Sequence, residues 1–399
     1  MIYWIWLSKA LGAGNAKFLP LIEKYKTAQA IYNLSRKELS LNSFLNNGEL
    51  YRLGNKNLSY SENVLKVCNE DKIKIITYND KKYPYVLREL INPPICLYVK
   101  GELLDFDTNP FISMVGKREC SDYGKKVAWS LSARLTLGGI TVLSGGAKGI
   151  DASAHLGALD VGGKTVAVLA CGINNDYLKI NKPLREHISK NGCLVSEYSP
   201  EEPVYRKNFS VRNRLLSALT YATVVVEAGK GSGALITANH AAEQGREVFV
   251  ITGKPDDPNY YGNNLLLRDG AKPIFEANDI FSEYIFKFGD KIIPSKANAI
   301  NLSKIFSQKY NGKRKTADKV SQRNATKVAE KKLNKENINN LPLSKNAKMV
   351  YNYIDSDFFV LDDLILDGLS FNELLTAVTE LELYGLIKAV PGGRYSVLR

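Results

Sequence analysis

Two glycine-rich turns lie about 80 residues apart, Ser144-Gly-Gly-Ala-Lys-Gly-Ile-Asp151 and Glu227-Ala-Gly-Lys-Gly-Ser-Gly-Ala-Leu-Ile-Thr237. Each follows an apolar run of β type, at 140–143 and 222–226, and each opens a segment with helical spacing. A strand passing through glycine into a helix is the recurring joint of an α/β sheet, so the two joints confine the middle of the chain to that class. Such a turn also leaves backbone N–H groups at the positive end of a helix dipole, where an anion is favoured.

From 71 to 286 strands and helices alternate. Runs at 73–78, 95–99, 111–115, 140–143, 165–170, 193–195, 223–226 and 247–251 read as strands. Several are continuously apolar, the pattern of strands buried on both faces of a parallel sheet. Helical spacing fills intervals such as 123–137 and 234–244, which gives a Rossmann-like, doubly wound α/β sheet. Residues 1–70 read as a small domain of short helices. Within it Leu11-Gly-Ala-Gly-Asn15 has the form of a helix–hairpin–helix turn on which a phosphate could rest, and equally of a tight helix–helix connection with no ligand.

The 399 residues carry a formal net charge of +13, which points to an acidic partner. Eleven Lys/Arg and three Asp/Glu between Ser303 and Glu336 account for +8, leaving +5 for the rest of the chain. Residues 287–342 lose periodicity and read as a basic flexible linker. Residues 343–399 recover helical patterns at 345–354, 361–366 and 371–386 and then a hairpin over 389–397, which is a winged-helix order. That unit has a net charge of −3, and its last helix carries Glu373, Glu380 and Glu382 but no Lys or Arg. A helix that reads a DNA major groove is basic, so a protein-contact or regulatory module is the better reading.

The apolar start, Met1 to Leu7, is too short to span a bilayer and lacks a basic flank, so neither a signal peptide nor membrane insertion is expected. Cys68, Cys96, Cys120, Cys171 and Cys193 are odd in number and form no C-x-x-C pair. Buried free thiols in a reducing cytoplasm are expected, without zinc or disulfides. His155, His187 and His240 lack metal spacing, so no metal or cofactor is expected. His155 follows Asp151 by one helical turn, and a local hydrogen bond is its expected role.

Four segments carry the candidate binding chemistry. In the first glycine turn Ser144, Gly145, Gly146, Lys148 and Gly149 would cradle a phosphate, or serve helix–sheet packing alone, with Asp151 favouring the helix dipole. Gly231, Ser232 and Gly233 form the second turn. In the segment from Met114 to Gly124, Gly116, Lys117 and Arg118 follow a strand, and the Arg118 guanidinium can fork onto a phosphate. Ser121 or Asp122 would cap the helix starting near Tyr123, and a solvated charged loop is the alternative. Between the turns, Arg206, Lys207, Phe209, Arg212, Asn213 and Arg214 place four positive charges beside a ring on which a base can stack. The competing reading pairs these arginines with sheet-end carboxylates such as Glu197 or Glu227.

At these residues the chain resembles the DprA/Smf family of bacterial DNA-processing proteins over roughly 72–285. The matches run through Tyr83-Pro84, Pro93-Pro94, Leu97-Tyr98 with Gly101, and Gly116, Arg118, Tyr123 and Gly124. They continue through the first glycine turn, Ser196-Glu197-Tyr198, Arg212-Asn213-Arg214, Glu227-Ala with Gly231 to Ala234, and Gly262, Asn264, Gly270 and Ala271. The resemblance implies a non-enzymatic homodimer that binds single-stranded DNA on its Rossmann-like domain. It also implies loading of the RecA recombinase onto incoming DNA during natural transformation, in competition with single-strand-binding protein. The family's helical N-terminal (SAM or helix–hairpin–helix-like) and winged-helix C-terminal domains fit the flanking segments. By position, Arg118 would clamp phosphate, Phe209 would accept a base, and Arg206 or Lys207 with Arg212 would line the strand path. Lys117, Ser210, Tyr260 and Leu178 depart from the family's usual Ser/Thr, Pro, Ser and Pro.

The rival enzyme class is a nucleotide phosphoribohydrolase of the lysine-decarboxylase-like type, which carries a catalytic glutamate soon after a Pro-Gly-Gly-x-Gly-Thr turn. Here no acidic residue occurs from Gly233 to Ala242. A ligand-sensing transcription regulator is disfavoured by the acidity of the last helix.

Overall fold

Strand β3 (Phe111–Val115) shows why the apolar runs are continuous. Ile112 and Met114 enter one core, Phe111 and Val115 enter the other, and every residue of the strand is buried. The computed structural model describes residues 1–177, 179–298, 301–306, 309, 342–354, 358–360, 369, 371–390 and 394–397. Met1–Gln308 and Lys309–Arg399 form two separate compact units.

In the first unit the sheet has nine strands. From one edge they run β1 (Ile73–Thr77), β2 (Cys96–Gly101), β6 (Gly192–Ser196), β5 (Thr165–Leu169), β4 (Thr141–Ser144), β3, β7 (Ala222–Val225), β8 (Glu247–Ile251) and β9 (Lys272–Ile274). Strands β3 to β9 are mutually parallel where they pair, whereas β1–β2 and β2–β6 are antiparallel. The sheet is therefore mixed, with an antiparallel edge on a doubly wound core. Strand β9, three residues containing Pro273, is too short to register as an apolar run. Successive strands step outward from β3 to β6, then the chain returns to the other side of β3 with β7. That reversal lies between β3 and β7, where the loops after two adjacent strands diverge and leave a crevice.

Six helices precede the sheet: α1 (Ile2–Leu11), α2 (Phe18–Tyr25), α3 (Ala28–Asn33), α4 (Arg36–Ser40), α5 (Asn47–Gly54) and α6 (Ser59–Glu70). Ile5, Leu7, Phe18, Leu21 and Leu53 share one cluster with Tyr98, Leu169 and Leu194 of the sheet, so these helices bury their apolar face on the strands themselves. The remaining helices of this unit are α7 (Tyr85–Arg88), α8 (Asp122–Leu137), α9 (Ile150–Asp160), α10 (Lys182–Lys190), α11 (Arg206–Ala218), α12 (Gly233–Glu243), α13 (Tyr261–Arg268), α14 (Ala277–Phe288), α15 (Pro294–Ala297) and α16 (Leu302–Phe306). Side chains of α8, α9 and α14 fill the core on one face of β3, and those of α11 and α12 fill the core on the other.

In the second unit α17 (Lys345–Tyr353) and α18 (Phe371–Leu383) pack through Ala347, Val350, Ala377 and Leu381, and a three-stranded antiparallel sheet follows the order β10 (Phe358–Val360), β12 (Arg394–Val397), β11 (Ile387–Val390). Glu380 of α18 accepts hydrogen bonds from the Ser344 backbone (2.8 Å) and hydroxyl (2.6 Å) and so helps hold the start of α17. One of the three acids noted on that helix thus has a structural use. The expected helix at 361–366, residues 310–336 of the basic tether and Leu178 lie outside the described residues. All five cysteines are free, four buried and Cys120 half-buried.

Candidate functional site

The crevice at the strand reversal is a cleft of about 380 Å³. Gly116–Glu119 after β3, Gly229–Ala234 after β7, and Phe209, Arg212 and Asn213 of α11 line it, with Ala147 and Asp151 behind. All three strand-end loops singled out in the sequence converge there.

The second glycine turn is the open one. Gly231 is exposed in the left-handed region (φ 69°), and a Cβ on Gly231 or Gly233 would meet open space. Ser232 caps α12 by accepting the Ala234 N–H at 3.4 Å. The turn is held from below by Asn263, a fully buried residue absent from the sequence-derived set. Its carboxamide oxygen accepts the Ala228 N–H (2.7 Å), and its NH₂ donates to the carbonyls of Val226 (3.0 Å) and Ile251 (2.9 Å). Gly262 lies beside it because a Cβ there would stand 2.7 Å from the Ala228 carbonyl.

The first glycine turn differs from the cradle expected of it. The space beside Gly145 is filled by the Arg212 guanidinium and the Asp151 carboxylate, both within 2.7 Å of where a Cβ would stand. Arg212 donates to the carbonyls of Gly145 (2.8 Å) and Val168, and its Nε donates to Asn213 (3.1 Å). Asp151 accepts the Ala147 N–H at 3.3 Å. Burial raises the Asp151 pKa against the nearby Arg212 charge, and burial lowers that of Arg212. Ser144 is buried and donates to the Met114 carbonyl at 2.6 Å. Gly149 (φ 83°) lets the loop after β3 pack closely, since a Cβ would meet the carbonyls of Lys117 and Arg118. Arg212 thus lines the cleft, while Ser144, Gly145, Gly146 and Gly149 lie outside its lining and serve packing, which corrects the reading of this turn as a bare phosphate cradle. Lys148 is exposed and paired with Glu119 at 2.7 Å.

Arg214 is also corrected. It is 4% exposed and grips both oxygens of Glu197 at 2.8 Å through Nη2. This is the internal pairing that competed with a DNA role. Glu197 also accepts the Gly14 N–H at 3.0 Å, and the Gly12 N–H goes to the Ser8 carbonyl. Both glycine amides of the Leu11–Asn15 turn are thus used within the protein, which favours a plain helix connection there. Asn213 is buried and donates to the Gly233 carbonyl at 3.3 Å, tying α11 to the open turn.

At the mouth of the cleft Arg118 is exposed. Its guanidinium lies 4.4 Å from the centre of the half-buried Phe209 ring and donates to the Tyr177 hydroxyl at 3.3 Å. Tyr177 and Phe209 are themselves in ring contact, 5.7 Å apart. Tyr177 was not singled out, because nothing in its local sequence marks a lone tyrosine in the loop after β5. Lys117 is half-buried and donates to Asn259. Arg206 and Lys207 are exposed in the first turn of α11, outside the cleft lining.

Glu227 takes no part in the cleft lining. Fully buried, it accepts the Ser121 N–H (3.0 Å) and hydroxyl (2.6 Å), while Ser121 caps α8 by accepting the Gly124 N–H at 2.9 Å. Gly124 is required there, since a Cβ would fall 2.3 Å from a Glu227 oxygen. His155 bonds to Thr165 through Nδ1 at 2.8 Å, not to Asp151. Among the described residues no group of acids, histidines and cysteines could hold a metal, and no helix is long and apolar enough to cross a membrane.

The family model for DNA recombination-mediator protein A matches residues 74–285. The DNA processing protein DprA of Bacillus subtilis is 37% identical over 220 residues, 55% of this chain and 74% of that protein. Protein Smf of Synechocystis is 30% identical over 332 residues, 81% of this chain and 79% of that protein. Among solved structures, DprA from Streptococcus pneumoniae superposes with a TM-score of 0.63 at 32% identity, covering 71% of this chain and 98% of that one. The matched segment contains β3, β7 and every loop of the cleft, and the chain belongs to the DNA recombination-mediator protein A family.

Proposed function

We propose that this protein binds single-stranded DNA in the cleft between β3 and β7, without chemical turnover, and presents the strand to the RecA recombinase. The observation that carries the reading is the meeting of an open glycine turn with the Arg118–Phe209–Tyr177 cluster. The turn supplies backbone donors at the start of α12, Arg118 supplies a guanidinium for phosphate, and the rings supply stacking faces. Those three elements suit a flexible polyanion whose bases are unpaired; a duplex hides its base faces.

Family membership supports a role in recombination, in which the strand is held against single-strand-binding protein and handed to RecA by a homodimer. The phosphoribohydrolase reading has weaker support, since the first turn of α12 (Gly233-Ala-Leu-Ile) contains no carboxylate to act on a glycosidic bond. The test is a paired titration of labelled oligo-dT and a duplex of equal length over a salt series, with nucleoside monophosphate turnover assayed alongside. Tight, salt-dependent single-strand binding with much weaker duplex binding and no turnover is expected. Equal affinity for both DNA forms, or released base, would overturn the proposal.

A further inference from the structure

On the far side of α11 from Phe209 lies a second groove, of about 500 Å³, between the N-terminal helices and the sheet domain. Its walls carry Lys9, Gly12, Arg52 and Tyr60 from the helices and Tyr205 and Lys207 from the start of α11. Lys9, Arg52, Tyr60, Tyr205 and Lys207 are all exposed. The two carboxylates in the lining are already engaged. Glu197 is held by Arg214, and Glu202 is shared by Lys9 (3.7 Å) and Ser199 (2.9 Å). Among the described residues neither Arg52 nor Lys207 has a carboxylate within ion-pairing distance. Half-buried Gly12 leaves room in the wall at φ 84°, where a Cβ would meet nothing.

Two cations free of acids, Arg52 and Lys207, among exposed tyrosines along a polar channel suit a nucleic-acid strand better than a compact ligand. The position of the groove points the same way. Lys207 and Phe209 are two residues apart on one helix and, at 3.6 residues per turn, project to nearly opposite sides of it. The same helical turn therefore borders both the cleft and the groove.

We propose that the N-terminal helices form a second segment of the DNA path. A strand leaving the cleft crosses the start of α11 at Lys207 and continues between Arg52, Lys9, Tyr60 and Tyr205. This inference rests on the reading of the cleft as a single-strand site. It gives the N-terminal helices a share in binding: the cleft takes a short stretch of strand, and only a longer one reaches the groove.

The experiment compares the full-length protein with its Arg52→Gln/Lys207→Gln variant on oligo-dT of roughly 6 and roughly 16 nucleotides, within the span of sizes typical for single-strand sites. Thermal melting of both proteins confirms equal folding. Loss of two phosphate contacts should weaken the longer oligonucleotide by about tenfold or more, with a much smaller loss on the shorter one. It should also flatten the slope of log affinity against log salt by about 1.4 for the longer strand. Equal losses on both lengths, or no loss on either, would overturn the second segment while leaving the cleft reading intact. Failure of the unaltered protein to bind either length would instead overturn the cleft reading, and this inference with it.

Discussion

The guanidinium of Arg118 stacks 4.4 Å from the centre of the Phe209 ring, so the side chain assigned to phosphate and the ring assigned to a base cover one another in the free protein. A base can reach that face only when Arg118 moves aside. The residue that meets the phosphate is thus also the one that uncovers the ring. Arg118→Ala removes a charge-assisted phosphate contact, and oligo-dT binding should weaken by about 1.5–3 kcal/mol, read by fluorescence anisotropy. Phe209→Ala should cost about 1–3 kcal/mol through lost stacking, with an unaltered salt slope that separates it from the arginine.

The Arg214–Glu197 pair should act on stability. Both side chains are almost wholly buried, and the guanidinium meets both carboxylate oxygens. Arg214→Met leaves a carboxylate in the interior, so chemical denaturation should show a loss of about 3–5 kcal/mol. The double variant with Glu197→Gln should lose less than the sum of the two single changes, because the stranded charge is removed.

Stability should fall on acidification through His155. The ring is buried, its Nδ1 faces a Thr165 hydroxyl that donates onward to the Val142 carbonyl, and burial lowers its pKa from 6.5 to about 3. The unfolded chain binds a proton below about pH 6.5 and the folded chain does not until about pH 3. Stability therefore declines between those values, by about 1.4 kcal/mol per pH unit. Denaturation midpoints measured from pH 7 to 4 should show that slope reduced in His155→Gln.

Asn263→Ala should loosen the open turn. It removes the partners of one buried N–H and two buried carbonyls, at a cost of about 1–3 kcal/mol for each group left unsatisfied. Amide exchange at 228–233 should accelerate, and oligo-dT affinity should fall even though Asn263 lies outside the cleft lining.

Much of the fold was legible because its signals are local. The eight runs became β1 to β8, since a strand buried on both faces is largely apolar, as β3 is apart from Ser113, whose buried hydroxyl bonds to that of Thr223. Ser121 before α8 is a local cap of the kind a sequence displays. The antiparallel β1–β2 edge was not legible, because pairing direction depends on where the chain turns in space. Asn263 and Tyr177 went unseen for a similar reason: each works on loops distant in sequence.

The sequence by itself determined that glycine turns follow β4 and β7 and that Arg118, Phe209 and the four cations Arg206, Lys207, Arg212 and Arg214 lie near them. Only the tertiary structure decided what each does. Two turns of similar composition diverge because Arg212 and Asp151 fill the space beside Gly145, whereas nothing occupies the space beside Gly231 and Gly233. Arg118, Arg212 and Arg214, from two segments of the sequence, separate for a related reason. Arg118 sits on an exposed loop, while the helical turn carrying Arg212 and Arg214 sends both guanidinium groups inward, where burial demands carbonyl or carboxylate partners.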